Sequence, residues 1–151
     1  MNNDLILFRK PVRGLTQFLK RAEARYPHEV VAWVFENEKE LNLYPLKNEL
    51  FGKTEGRDAW KPTEKSKRFA YRAARALGWG EKIGNFHSHP VRNMEEEQKH
   101  HMPSNGQFYD LWWTKRLGEK IVGILTVDEM GPIRLTVTDA NLKVLEVIWY
   151  R

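Results

Sequence analysis

The tetrapeptide His87-Ser88-His89-Pro90 has residue types and a spacing that could do chemistry. In an extended chain, residues i and i+2 share a face. His87 and His89 can therefore offer two imidazoles to one ion, while Ser88 points away. Pro90 ends the strand and leaves the pair at its terminus, where loops can build a site. Two neutral imidazoles at about 2.0–2.1 Å are half of a zinc shell. A hydrolytic zinc also needs a third ligand, an open position and a base. Taken alone, the pair reads equally well as two hydrogen-bonding side chains.

The chain has no cysteine. That excludes a disulfide framework, a cysteine nucleophile, thiolate-held zinc and the zinc deaminase pattern together. Any metal must be held by His, Asp or Glu, which makes His28, His87, His89, His100 and His101 worth weighing one by one. The helical His-Glu-x-x-His alternative fails, because His28-Glu29 is followed by Ala32 where the second histidine belongs, and the neighbouring residues read as a strand. Asp128 and Asp139 read as turn residues.

The elements that must position these groups follow from periodicity. Leu15, Phe18, Leu19 and Ala22 fall at i, i+3, i+4 and i+7, which predicts a helix over 14–25 stopped by Pro27. Two extended segments, 29–35 and 40–46, joined by a turn at 36–39, read as a hairpin. Pro45 in the second suits an edge strand. Residues 47–61 read as an irregular loop. Thr63 can cap a second helix with Phe69, Ala70, Ala73, Ala74 and Leu77 as its apolar stripe, ending at Gly78 or Gly80. A strand over 82–89 carries the histidines, and a polar segment spans 91–102. A third helix is expected near Ser104, carrying Phe108, Leu111, Trp112 and Lys115, followed by strands over 121–127, 133–138 and 144–150. This order predicts an α/β or α+β fold, a mixed sheet flanked by helices.

At 151 residues the chain fits one domain over 1–151. A hydrophobic fraction of 41% against 30% charged residues matches an ordinary globular composition rather than a disordered one. No run approaches the roughly 20 apolar residues that span a bilayer, and the short apolar run at 5–8 lacks a cleavage site, so a cytoplasmic protein without membrane association is expected. The net charge of +5 favours acidic partners without naming one. Basic residues cluster only within 61–75 and 115–120, which read as wet helix faces, so nucleic acid is not the expected partner. Of the six tryptophans, Trp33, Trp112 and Trp149 fit core positions, and Trp60, Trp79 and Trp113 fit a surface or interface.

Glu29 opens an apolar strand after Tyr26-Pro27, then come Pro45 to Asn48, a helix, Gly84-Asn85-Phe86-His87-Ser88-His89-Pro90 and Pro103-Ser104. In this order, over roughly residues 15–137, the chain resembles the JAMM (MPN+) zinc metalloprotease family. The His-Ser-His-Pro run followed by Pro-Ser carries the resemblance, supported by Glu29 standing 58 residues before His87. The resemblance implies a cytidine-deaminase-like mixed sheet and hydrolysis of a peptide or isopeptide bond, often at the end of a ubiquitin-like protein. It further implies that His87 and His89 ligate zinc and that Glu29 serves as general base and then as acid toward the leaving amine. Ser104 would help to stabilise the oxyanion, and an aspartate beyond it would complete the shell.

The sequence departs from that pattern in two places. Ser104 lies fifteen residues after His89, farther than the family places its serine, and Gln107 stands three beyond Ser104 where the family has aspartate. Gln107 and Asp110 share a helical stripe one turn apart. A helix starting one turn later, which Asn105-Gly106 would allow, brings Asp110 to the ligand position. His100 and His101 in the inserted segment are the alternatives for the third ligand. That segment reads as a solvated loop or short helix, or as a flap over a groove. A chain with no third ligand would be an inactive MPN-like scaffold for protein–protein interaction, and a basic nucleic-acid-binding domain is the remaining rival.

Overall fold

The computed structural model describes residues 5–48, 60–106 and 109–151. Expectations for Gln107, Phe108 and most of the loop at 47–61 fall outside these residues. Eight strands form one mixed sheet: β1 (Ile6–Leu7), β2 (Lys10–Arg13), β3 (Val31–Glu36), β4 (Leu41–Leu46), β5 (Glu81–Pro90), β6 (Ile121–Asp128), β7 (Gly131–Asp139) and β8 (Val144–Trp149). The spatial order is β1-β2-β4-β3-β5-β6-β7-β8. The helices among the described residues are α1 (Leu15–Arg25), α2 (Glu64–Leu77), α3 (Met94–His100) and α4 (Asp110–Arg116). None of these is long and apolar enough to cross a membrane.

Helix α1 lies on one face of the sheet. Its Leu15, Phe18, Leu19 and Ala22, the positions expected from their spacing, join Ala32, Val34, Phe86, Leu125, Leu135 and Val137 in the larger core. Burying such side chains contributes roughly 1.5–3 kcal/mol each before entropy is counted. The opposite face packs Val31, Trp33, Phe35 and Leu46 against Ala70 and Ala74 of α2. Alternation along β3 accounts for the division, since its odd-numbered residues face α2 and its even-numbered ones face α1.

Helix α2 starts as expected: the Thr63 hydroxyl accepts the Ser66 N–H, and Gly78 closes the helix in the left-handed conformation at φ 67°. Its buried stripe is narrower than the periodicity implied, because Phe69 is 44% and Leu77 63% exposed. Trp149 departs from its expected core position and is 52% exposed, at 4.2 Å from the Arg134 guanidinium. Trp79 is instead drawn into the smaller core beside Phe35 and Tyr44. The polar segment at 91–102 contains α3, and α4 begins at Asp110, six residues beyond Ser104 rather than beside it.

Strands β1 and β2 were not foreseen. They form a hairpin whose turn residues, Phe8 and Arg9, have φ values of 53° and 63°. Such turns normally carry Asn or Gly, so the usual signal was absent. Because β2 pairs in parallel with Leu41 and Asn42, β4 is not an edge strand over its full length. Pro45 lies beyond that pairing, where its missing N–H costs no ladder bond.

Candidate metal centre

Strand β5 runs parallel to β6 from Gly84 to Pro90 and antiparallel to β3 as far as the pair Val31–His87. Its carboxyl end, the usual place for a site in such sheets, carries His87 and His89 on the α2 side. Glu29, two residues before Val31, faces the same way by alternation and is buried. Ser88 fastens this arrangement: its N–H donates to the Val30 carbonyl, and its hydroxyl accepts the Val30 N–H, each at 2.9 Å. Asn48 adds a second tie, donating to the Glu29 carbonyl at 2.9 Å while accepting the Lys61 N–H. Chain segments 58 residues apart in sequence are thereby locked in register.

Glu29, His87 and His89 form a group whose ligand atoms all lie within 4.8 Å of one another. Asp110 approaches from α4, with Oδ1 at 3.2 Å from His87 Nε2 and Oδ2 at 3.4 Å from His89 Nε2. A tetrahedral shell with bonds of about 2.0–2.1 Å has edges of roughly 3.3–3.4 Å, so these separations match neighbouring ligands of one ion. Asp110 is held by a reciprocal clasp: its N–H donates to the Ser104 hydroxyl at 3.0 Å, and its carboxylate accepts the Ser104 N–H at 2.9 Å. The Leu111 N–H donates to the Ser104 carbonyl. Ser104 thus ties down the start of α4 across a loop rather than capping a helix that begins beside it.

The histidine tautomers follow from their partners. His87 Nδ1 lies 2.8 Å from Asn85 Oδ1, and His89 Nδ1 lies 2.8 Å from the His100 carbonyl. Both oxygens accept, so each Nδ1 carries the proton and each Nε2 keeps its lone pair for a cation. His87 Nε2 is buried and makes no hydrogen bond among the described residues, as expected of an atom kept for a metal. Burial by itself would raise the Asp110 pKa, but His87 and then His89 hold it well below the carboxylate range. Burial likewise works against a charged His89, yet Asp110, Glu29 and the His100 carbonyl push its pKa above the usual 6.5. An ionised carboxylate beside two imidazole nitrogens that keep their lone pairs makes a pocket that favours a cation.

The site opens on a groove of about 810 Å³, whose lining includes Glu29, Ser104, Asp110, Trp33, Trp60 and Trp113. Trp60 packs its ring on His87, with centroids 5.3 Å apart, which gives this tryptophan a place at the site rather than at a remote surface. The His100 side chain is exposed, and this residue reaches the centre through its carbonyl. His101 lies beside Glu97 and Arg134. Sequence reasoning passed over Asn85, Asn48 and the His100 carbonyl. Only Asn85 left a signal, since it stands at i−2 from His87 on the same strand face.

Residues 11–95 match the model of the prokaryotic homologues of the JAB domain. That stretch holds Glu29, His87 and His89 and ends before Ser104 and Asp110. A protein from Desulfitobacterium hafniense, known from its solution structure, is similar in fold: TM-score 0.50 and 17% identity over 89% of this chain and 88% of that one. No match is found among curated proteins. Because more than half of its length fits the family's pattern, including the strand that carries both histidines, the chain belongs to the JAB/MPN (JAMM) family, among its prokaryotic homologues.

Proposed function

We propose that the protein is a zinc-dependent hydrolase of peptide or isopeptide bonds. The carrying observation is the meeting of His87 Nε2 and His89 Nε2 with the Asp110 carboxylate, next to buried Glu29. His87, His89 and Asp110 would hold the ion. When bound, zinc supplies a Lewis acid that polarises a carbonyl and brings the pKa of water down to about 7.

The chain's own groups supply the proton traffic and the positioning. The Glu29 carboxylate takes a proton from the attacking water and returns it to the departing amine nitrogen, the role of a general base that becomes an acid. The Ser104 hydroxyl accepts the Asp110 N–H and so has its own proton to give to an oxyanion. Trp60 and Trp113 flank the groove and can shield the reacting bond from bulk water. The partner implied is a protein or peptide substrate, with a ubiquitin-like protein as one candidate and a cytidine-deaminase-like sheet as the scaffold.

Elemental analysis tests the reading together with hydrolysis of a library of fluorogenic peptides and isopeptides. About one zinc per chain is expected, lost in His87→Ala and Asp110→Ala, with hydrolysis lost alongside. Stoichiometric zinc without hydrolysis of any library member would favour a binding scaffold. A wild-type protein that takes up no zinc would sink the proposal.

A further inference from the structure

Helix α3 has an unusual attachment to the rest of the fold. Glu97 is its one buried residue, with no exposed surface, while Met94 is 46% exposed. The helix therefore has no apolar face with which to dock on the sheet, and a carboxylate does that work. Glu97 Oε2 accepts from Arg134 Nε at 3.0 Å, and the same carboxylate accepts from Arg134 Nη2 and from the Thr126 hydroxyl. The Arg134 guanidinium is further held over the Trp149 ring. The entry to α3 is fixed separately, by Val91 N–H to the Val127 carbonyl, by Tyr26 Oη to the Val91 carbonyl, and by the Asn93 cap. Its far end, one turn beyond Glu97, presents the His100 carbonyl to His89 Nδ1 at 2.8 Å.

We propose that Glu97 is a positioning residue of the metal centre. Through Arg134 and Thr126 it anchors α3 to β6 and β7, and so holds the His100 carbonyl where it orients His89. The segment inserted after the histidine pair thereby supplies the outer support of one ligand through its backbone. This inference rests on the metal-site reading above. Such outer partners commonly change metal affinity by about 10–100-fold when removed. Glu97 acts one link farther out, which places its effect near the lower end.

The test is zinc affinity by competition with a chromophoric chelator in Glu97→Gln and Thr126→Val, with imidazole nitrogen NMR reading the Nδ1–H groups of His87 and His89 in each. Thermal unfolding accompanies each titration to establish that the protein is folded. Glu97→Gln should weaken zinc binding about tenfold and Thr126→Val less, in the same direction. The His89 Nδ1–H signal should shift or broaden in both variants, while that of His87, which is held by Asn85, stays as in wild type. Affinities within about twofold of wild type in both folded variants would overturn the inference. So would losses of affinity with an unchanged His89 signal, or with His87 disturbed equally, because they would mark a general structural role. If Glu97→Gln does not fold, Thr126→Val decides, since it leaves the ion pair in place. Failure of wild type to bind zinc would be a different result: it would remove the metal reading and this inference with it.

Discussion

On the α1 side of the sheet, Phe18, Phe86, Leu125 and Leu135 meet as apolar surface, and the Phe18 and Phe86 rings lie edge to face at 6.1 Å. Across the same strands, Asn85, His87, Glu97 and Thr126 are equally buried. Adjacent residues of β5, Phe86 and His87, thus point into environments with different rules. The first face is held by area removed from water, which is insensitive to orientation. The second, beyond the small apolar core under α2, is held by pairing buried polar groups, which is directional and costly to leave incomplete. The difference is that apolar packing tolerates small shifts of its side chains, whereas the polar cluster at the end of β5 requires each group in a set direction.

Glu29→Gln should give the largest effect on the polar face. Hydrolysis is expected to fall by about 10²–10⁴-fold, while zinc content and thermal stability stay near wild type. A parallel loss of zinc would show that Glu29 ligates the ion rather than moving protons.

Next comes Phe86→Ala on the apolar face. Phe86 is fully buried, and its truncation should cost about 3–5 kcal/mol in urea unfolding. Zinc affinity of the folded protein should change little. A large drop in affinity would mean that the two faces are coupled through β5.

Acid should reveal the charged anchor of α3. Burial alone would raise the Glu97 pKa, but Arg134 and Thr126 hold it below its ordinary 4.5. A carboxylate with a depressed folded pKa contributes stability that is complete above its unfolded value and is lost as pH falls through the folded one. Stability should therefore decline below pH 4.5, and Glu97→Gln should remove part of that slope in urea titrations repeated across the acid range.

The smallest effect is expected at Leu77, which belongs to α2 but to neither face. At 63% exposure, Leu77→Ala should stay within about 0.5 kcal/mol. A cost of several times that amount would restore the wider apolar stripe that periodicity alone implied.

Much of this architecture was legible in residue order. The α1 stripe, the hairpin turn at 36–39, the Thr63 cap and the strand ending at Pro90 are local signals, since each depends on neighbours within a few residues. The β1–β2 hairpin was hidden because Phe8 and Arg9 adopt left-handed conformations without the residues that usually announce them. Trp149 misled because an aromatic in an apolar pattern says nothing of whether another layer covers it.

By itself, the sequence determined the residue types that could hold a metal, their shared strand face and the exclusion of thiolate chemistry, because alternation and composition are properties of the chain. Tertiary structure alone decided what each imidazole's second nitrogen touches and which oxygens converge on the first. Asn85 Oδ1, the His100 carbonyl and the Ser104–Asp110 clasp are fixed by hydrogen bonds between separate elements. No periodicity encodes such distances, because they depend on how strand, loop and helix pack in three dimensions.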